Sequence, residues 1–150
     1  MANYALDFHR TASTSLSVGS VTADSTRPRR GRIYDVIVGS EAAPADNAFL
    51  WRFGRITAAG TSTAVVPQPL DPADAATEMD AGENHTVEAT YASAQNLLDI
   101  PLYQRATFRW VATEGGGLVF PATAANGFGV ATPTASGLVA ITAQLHVAEQ

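Results

Sequence analysis

Apolar and polar side chains alternate with a period of two along most of this chain, and turn residues interrupt the alternation roughly every eight to twelve positions. Successive side chains of a strand point to opposite faces, so each alternating segment has one core side and one wet side. Helical periodicity is almost absent. The pattern predicts an all-β fold, a sandwich or barrel read as a single antiparallel β-sandwich, and leaves no room for the amphipathic helices of a parallel α/β protein; the long connection from Pro67 to Asn84 suits a jelly-roll-like topology. The clearest strand is the last. Val139, Ile141, Ala143, Leu145 and Val147 form one apolar set, and Ala140, Thr142, Gln144, His146 and Ala148 interleave on the other face. Phe49, Trp51 and Phe53 share a face, as do Phe108 and Trp110, so both tryptophans are expected in the core. Val87, Ala89 and Tyr91 alternate with Thr86, Glu88 and Thr90. Ile33–Val38 is apolar on both faces except at Asp35, which predicts a central strand. Weaker strands are expected at 4–9, 16–21, 61–66, 97–102, 118–120 and 127–131. Turns are expected at Gly54, Gly60, Gly115–Gly117, Asn126-Gly127 and Pro133–Gly137.

At 150 residues the chain suits one domain, large enough to fold without a disulfide or metal. Residues 31–150 are expected to form the sandwich and residues 1–30 an N-terminal extended arm or edge strands. One short helix is expected in a long connection, Pro67 to Asn84. Asp71 caps it, Pro72 takes its first position, Asp74 sits in its first turn and Gly82 ends it. Cysteine is absent, which excludes disulfide frameworks, thiolate metal sites and cysteine nucleophiles. The net charge of −5 argues against general nucleic-acid affinity, which needs a basic face. No apolar run reaches the ~18 residues of a membrane span, and Met1–Asp7 has neither the basic start nor the apolar core of a signal peptide. All nine basic residues are Arg.

Two charge clusters stand out. Asp71, Asp74, Glu78, Asp80, Glu83 and Glu88 form an acidic stretch with no Arg among them. Clustered carboxylates suit a cation or a basic partner, but the spacing is not that of an EF-hand, and a solvated loop explains them as well. Arg27, Arg29, Arg30 and Arg32 form the basic counterpart around Pro28 and Gly31. Guanidinium pairs with carboxylates or phosphates in a bidentate way. The cluster is read as a protein contact, either pairing with the acidic loop of another subunit or docking on another protein. The contact residues expected are therefore Arg27, Arg29, Arg30, Arg32, Asp71, Asp74, Glu78 and Asp80. His9, His85 and His146 are far apart and lack the close pair that cupin-type metal sites use. No nucleophile elbow or phosphate loop is present. The expectation is a protein that is not an enzyme, with no catalytic residue, no cofactor and no metal.

The run Ile33-Tyr34-Asp35-Val36-Ile37-Val38-Gly39-Ser40-Glu41 with Pro44–Ala48 carries a resemblance. Leu70-Asp71-Pro72-Ala73-Asp74-Ala75, Asn84-His85-Thr86, Ile100-Pro101-Leu102 and Arg105–Ala112 share it. Over residues 30–150 the chain resembles the jelly-roll decoration (cement) or minor capsid proteins of tailed bacteriophages. The resemblance implies a structural virion protein at the capsid surface, made in the host cytoplasm. Its partners would be the major capsid protein and other copies of itself, a homotrimer ahead of a dimer, with no membrane and no nucleic acid. The alternative is a receptor- or glycan-binding module of a virion, such as a tail-fibre or adhesin head.

Overall fold

The computed structural model describes residues 1–136 and 139–150. These residues form twelve strands and no helix: β1 (Ala2–Thr11), β2 (Gly19–Ala23), β3 (Gly31–Ala42), β4 (Ala48–Ala58), β5 (Thr61–Ala64), β6 (Gln68–Pro69), β7 (Met79–Val87), β8 (Thr90–Tyr103), β9 (Phe108–Val111), β10 (Leu118–Phe120), β11 (Gly127–Ala131) and β12 (Ala140–Glu149). They make two six-stranded sheets, antiparallel throughout. The first runs β10-β3-β12-β1-β6, with β9 also paired to β3, and the second runs β5-β7-β2-β11-β4-β8. The architecture is sandwich-like, with one hydrophobic core contributed by both sheets.

The alternating pattern decides which side chains enter that core. On β12, Ile141, Ala143, Leu145 and Val147 are buried. They stand opposite buried residues of β1, with Tyr4 facing Val147, Leu6 facing Leu145 and Phe8 facing Ala143. Cross-strand apolar pairs of this kind are the unit of sheet stability. Trp51 and Phe53 of β4 fill the middle, and Phe120 meets Phe128 edge-on at 6.4 Å. Asp35 breaks the apolar run of β3, yet it is buried because Arg109 and His146 satisfy it.

One part of the second sheet closes on itself. β4 continues into β5 and β7 into β8, each through two residues. The pairs Ile56 with Tyr91, Ala58 with Thr90, Thr61 with Val87 and Thr63 with Glu83 form one ladder along these continuous segments. The resulting ribbon passes from the edge of β4 to the edge of β7 and covers β2 and β11, so both strands are buried on both sides.

Several expectations are corrected here. Residues 1–30 are not an arm or edge strands. β1 lies between β12 and β6, and β2 lies between β7 and β11. Tyr4, Leu6, Phe8, Val18 and Val21 supply core side chains. The short helix is absent. Asp71 Oδ1 accepts the Ala73 N–H at 2.9 Å, and the Asp74 N–H reaches the Asp71 carbonyl at 3.0 Å, which makes one closed turn and nothing longer. A helix in this place has no apolar stripe to bury, so nothing offsets the cost of nucleation. The long connection is also shorter than expected, because β7 starts at Met79 and pairs along β2. Trp51 is a core residue, but Trp110 only packs against the core from the rim of the short strand β9. The positive φ near Asn126 falls on Ala125. The turn expected over Pro133–Gly137 extends to residue 137, which lies outside the described residues.

Candidate functional site

The basic and acidic stretches meet at one end of the sandwich. Arg27 Nη1 lies 3.2 Å from Glu78 Oε1. Arg29 lines a cleft of about 490 Å³ with Asp74, Glu78 and Glu149. The Glu149 carboxylate at the end of β12 organises the wall. Its Oε1 accepts the Glu78 N–H at 2.9 Å and the Thr77 hydroxyl at 3.1 Å. Tyr4 donates to the Ala75 carbonyl at 2.9 Å and fixes the loop from the other side. Three carboxylates against one lining guanidinium give this cleft an acidic balance. The chain thus brings Arg27, Arg29, Asp74 and Glu78 together within itself.

The other four expected contact residues lie elsewhere. Asp71 is spent on its turn. Asp80 lines a small cavity of about 90 Å³ beside Ser20 and Thr22, and burial, followed by the nearby Asp24 charge, raises its pKa. Arg30 lies with Arg55 beside Val119, Pro121 and Ala122 on β10 and the turn after it. Arg32 is on β3, where Nη1 reaches the Gly116 carbonyl at 3.4 Å while its buried Nε has no partner.

A second site was not legible as a site in the sequence. Four residues of β8 bulge out where Gly54 pairs with Asn96 and Ile56 pairs with Tyr91. Ala94 in that bulge has a φ of 56°, a left-handed conformation that costs a non-glycine residue strain. The bulge frames a cleft of about 350 Å³ whose walls include Arg52, Glu88, Tyr91 and Asn96. Tyr91 lies against Gly54 and Gly129. A Cβ on Gly54 would stand 2.9 Å from the ring, and one on Gly129 would strike the phenol. The Tyr91 hydroxyl is 2.7 Å from the buried Ser17 hydroxyl. Ser17 in turn donates to both oxygens of Glu88, from its N–H at 2.5 Å and its hydroxyl at 2.9 Å. Arg10 Nη1 ties the Ser17 and His85 carbonyls together at 2.7 and 2.9 Å. Burial raises the Tyr91 pKa and lowers that of His85, so both are held neutral at pH 7. His85 Nε2 meets the Ser20 hydroxyl at 3.1 Å. In the sequence Glu88 looks like one more carboxylate of a solvated stretch. The alternation sets it with Thr86 and Thr90 on the face opposite Ala89 and Tyr91, and it joins Tyr91 because it lies in the two-residue link between β7 and β8, where the alternation does not hold.

The outer face of the first sheet carries two further clusters. Arg109 makes a two-pronged contact with Asp35 at 2.9 and 2.7 Å, and His146 Nδ1 lies 3.0 Å from the same carboxylate. The Arg109 bond, more than the burial that opposes it, holds Asp35 below the usual carboxylate range. His9 Nδ1 lies 2.6 Å from Glu41 Oε1, which also accepts the Thr142 hydroxyl. The bond to Glu41 raises the His9 pKa. Among the described residues no group of three or more His, Asp or Glu is placed to hold a metal ion, and no helix is long and apolar enough to cross a membrane.

Strands β8 and β9 carry exposed apolar side chains. Tyr103 is 44% exposed and Phe108 40%, and Leu97 on β8 and Val111 on β9 are exposed as well. Among the described residues each of these strands pairs on one side only, β8 with β4 and β9 with β3. No known family matches the chain, and no curated protein or solved structure is significantly similar to it.

Proposed function

We propose that this chain is a jelly-roll structural protein of a bacteriophage virion, a decoration protein that binds and stabilises the lattice of major capsid protein and acts as a homotrimer. The observation that carries this reading is the set of exposed apolar side chains on β8 and β9. Among the described residues, Leu97, Tyr103, Phe108 and Val111 leave apolar surface in water on two strands that each keep a free edge. Exposed edges of this kind are usually blunted or covered, and exposed apolar surface marks interaction sites. A lattice protein uses such a surface many times over, because symmetry multiplies modest contacts into avidity.

Two further points support the reading. The strand pairs are nested, β1 with β12, β2 with β11, β3 with β10 and β4 with β8. Nesting of this order supports a long hairpin folded into a jelly roll, an architecture that occurs in capsid and lectin domains. The resemblance of residues 30–150 to phage decoration proteins points the same way. The test is to count copies of the chain in gradient-purified particles of the encoding genome by quantitative mass spectrometry. A copy number near that of the lattice positions supports a decoration protein. A handful of copies points to a vertex or tail adhesin, and complete absence rejects both virion roles. The second reading, a receptor- or glycan-binding module, is favoured by one specific observation, the cleft over Tyr91.

A further inference from the structure

We infer that the cleft framed by the β8 bulge is a binding site for a neutral saccharide unit, with Tyr91 as its floor and Glu88, Asn96 and Arg52 as its polar contacts. The inference is independent of the lattice reading and deepens the second, glycan-binding one, on which it rests. The volume, about 350 Å³, suits one or two sugar rings. The contacts combine acceptors and donors in the way a polyol needs. Glu88 is fixed by Ser17, and each carboxylate oxygen, with one bond used, keeps a lone pair for a sugar hydroxyl. Arg52 is fixed by Asp99 through Nε and Nη2, both at 3.0 Å, which leaves Nη1 as a donor. Asn96 offers both kinds of group, and Thr14 and Ser15 supply hydroxyls on the facing wall.

The fold has built this cleft rather than left it as a gap. Glycine at both 54 and 129 lets the Tyr91 ring settle onto β4 and β11, where any Cβ would displace it. The bulge costs backbone strain at Ala94 and breaks the β4–β8 ladder. Such irregularities collect where a side chain must be re-aimed. Other ligand classes fit less well. An anion would meet the Glu88 carboxylate, and the nearest guanidinium is already neutralised by Asp99. A purely apolar ligand would strand Glu88, Asn96 and Arg52 without water.

The experiment is an amide-resonance titration of the full chain by two-dimensional NMR. The probes are D-galactose, N-acetyl-D-glucosamine and L-rhamnose, each at millimolar concentration, with inorganic phosphate as a separate arm. The expected result is a saturable shift for at least one sugar, confined to Thr14, Ser15 and residues 88–96. Asn96→Ala should weaken that binding about fivefold, the worth of one lost neutral hydrogen bond. Asn96 is exposed where β8 resumes its pairing after the bulge, so the urea midpoint of the variant should stay that of the parent. The inference is overturned if no sugar moves these amides, if phosphate alone moves them, or if Asn96→Ala leaves the affinity unchanged.

Discussion

Asp35 shows at the scale of a residue how a charge is kept inside an apolar strand. Its carboxylate is 3% exposed and is held by Arg109 and His146. Its pKa is lowered on folding, so its contribution to stability is complete above the unfolded value near 3.8 and is lost as pH falls through the lower folded value. Arg109→Met should therefore lower the urea midpoint at pH 7, because it removes the two-pronged contact that holds the buried Asp35 carboxylate and leaves it the His146 contact. The difference from the parent should shrink as the pH drops below 3.8 and Asp35 takes its proton. Urea unfolding across that range checks both statements. His9 runs in the opposite sense. Its pKa is raised on folding, so its contribution is present below the unfolded value near 6.5 and disappears as pH rises through the folded value. An NMR titration of the His9 ring should give a midpoint above 6.5, and Glu41→Gln should bring it down.

At the scale of the element, the informative cases are the ones where chain position misleads. β1 sits in polar, alternating sequence next to a Ser/Thr-rich stretch, which looks like an arm. It is held along its whole length, with Ala2 through Thr11 each opposite a residue of β12. Phe8→Ala should cost about 3–5 kcal/mol, since the ring is fully buried between the sheets. Removal of residues 2–11 should abolish cooperative unfolding, which thermal melts followed by circular dichroism will show. The β8 bulge is the second case. Gly129→Ala should displace Tyr91, break its bond to Ser17 and destabilise the protein by about 1–3 kcal/mol, the range for overpacking. A Gly129→Ala chain with an unchanged urea midpoint would mean that Tyr91 does not rest on β11.

For the whole molecule, topology sets both folding and surface. The first strand pairs with the last, so the core closes only after the entire chain is present. Folding dominated by such distant pairings is expected to take milliseconds to seconds, and stopped-flow refolding followed by tryptophan fluorescence tests this. The two tryptophans also report on the exposed strand β9. Trp51 is buried, while Trp110 lies at the rim beside exposed Phe108. In the free protein acrylamide should quench the Trp51→Phe chain more strongly than the Trp110→Phe chain. On shells, the remaining Trp110 should become protected if β9 belongs to the face that docks.

The all-β class and the inward face of the strongest strands were legible in the local pattern. Both follow from the period-two placement of residues such as Ile141, Leu145, Trp51 and Phe53, and that placement is local. The sequence also marked the two charge clusters, because charge is a property of each residue alone. Long-range packing settles that Arg27 pairs with Glu78 in the same chain, that residues 71–74 form a turn rather than a helix, and that β1 and β2 supply core side chains. It alone brought Arg10, Ser17, Glu88 and Tyr91 into one network. These are outcomes of competition between distant segments for the same neighbours. A strand's partner is set by which pairing buries the most surface and leaves the fewest polar groups unmet, and no local period records that choice.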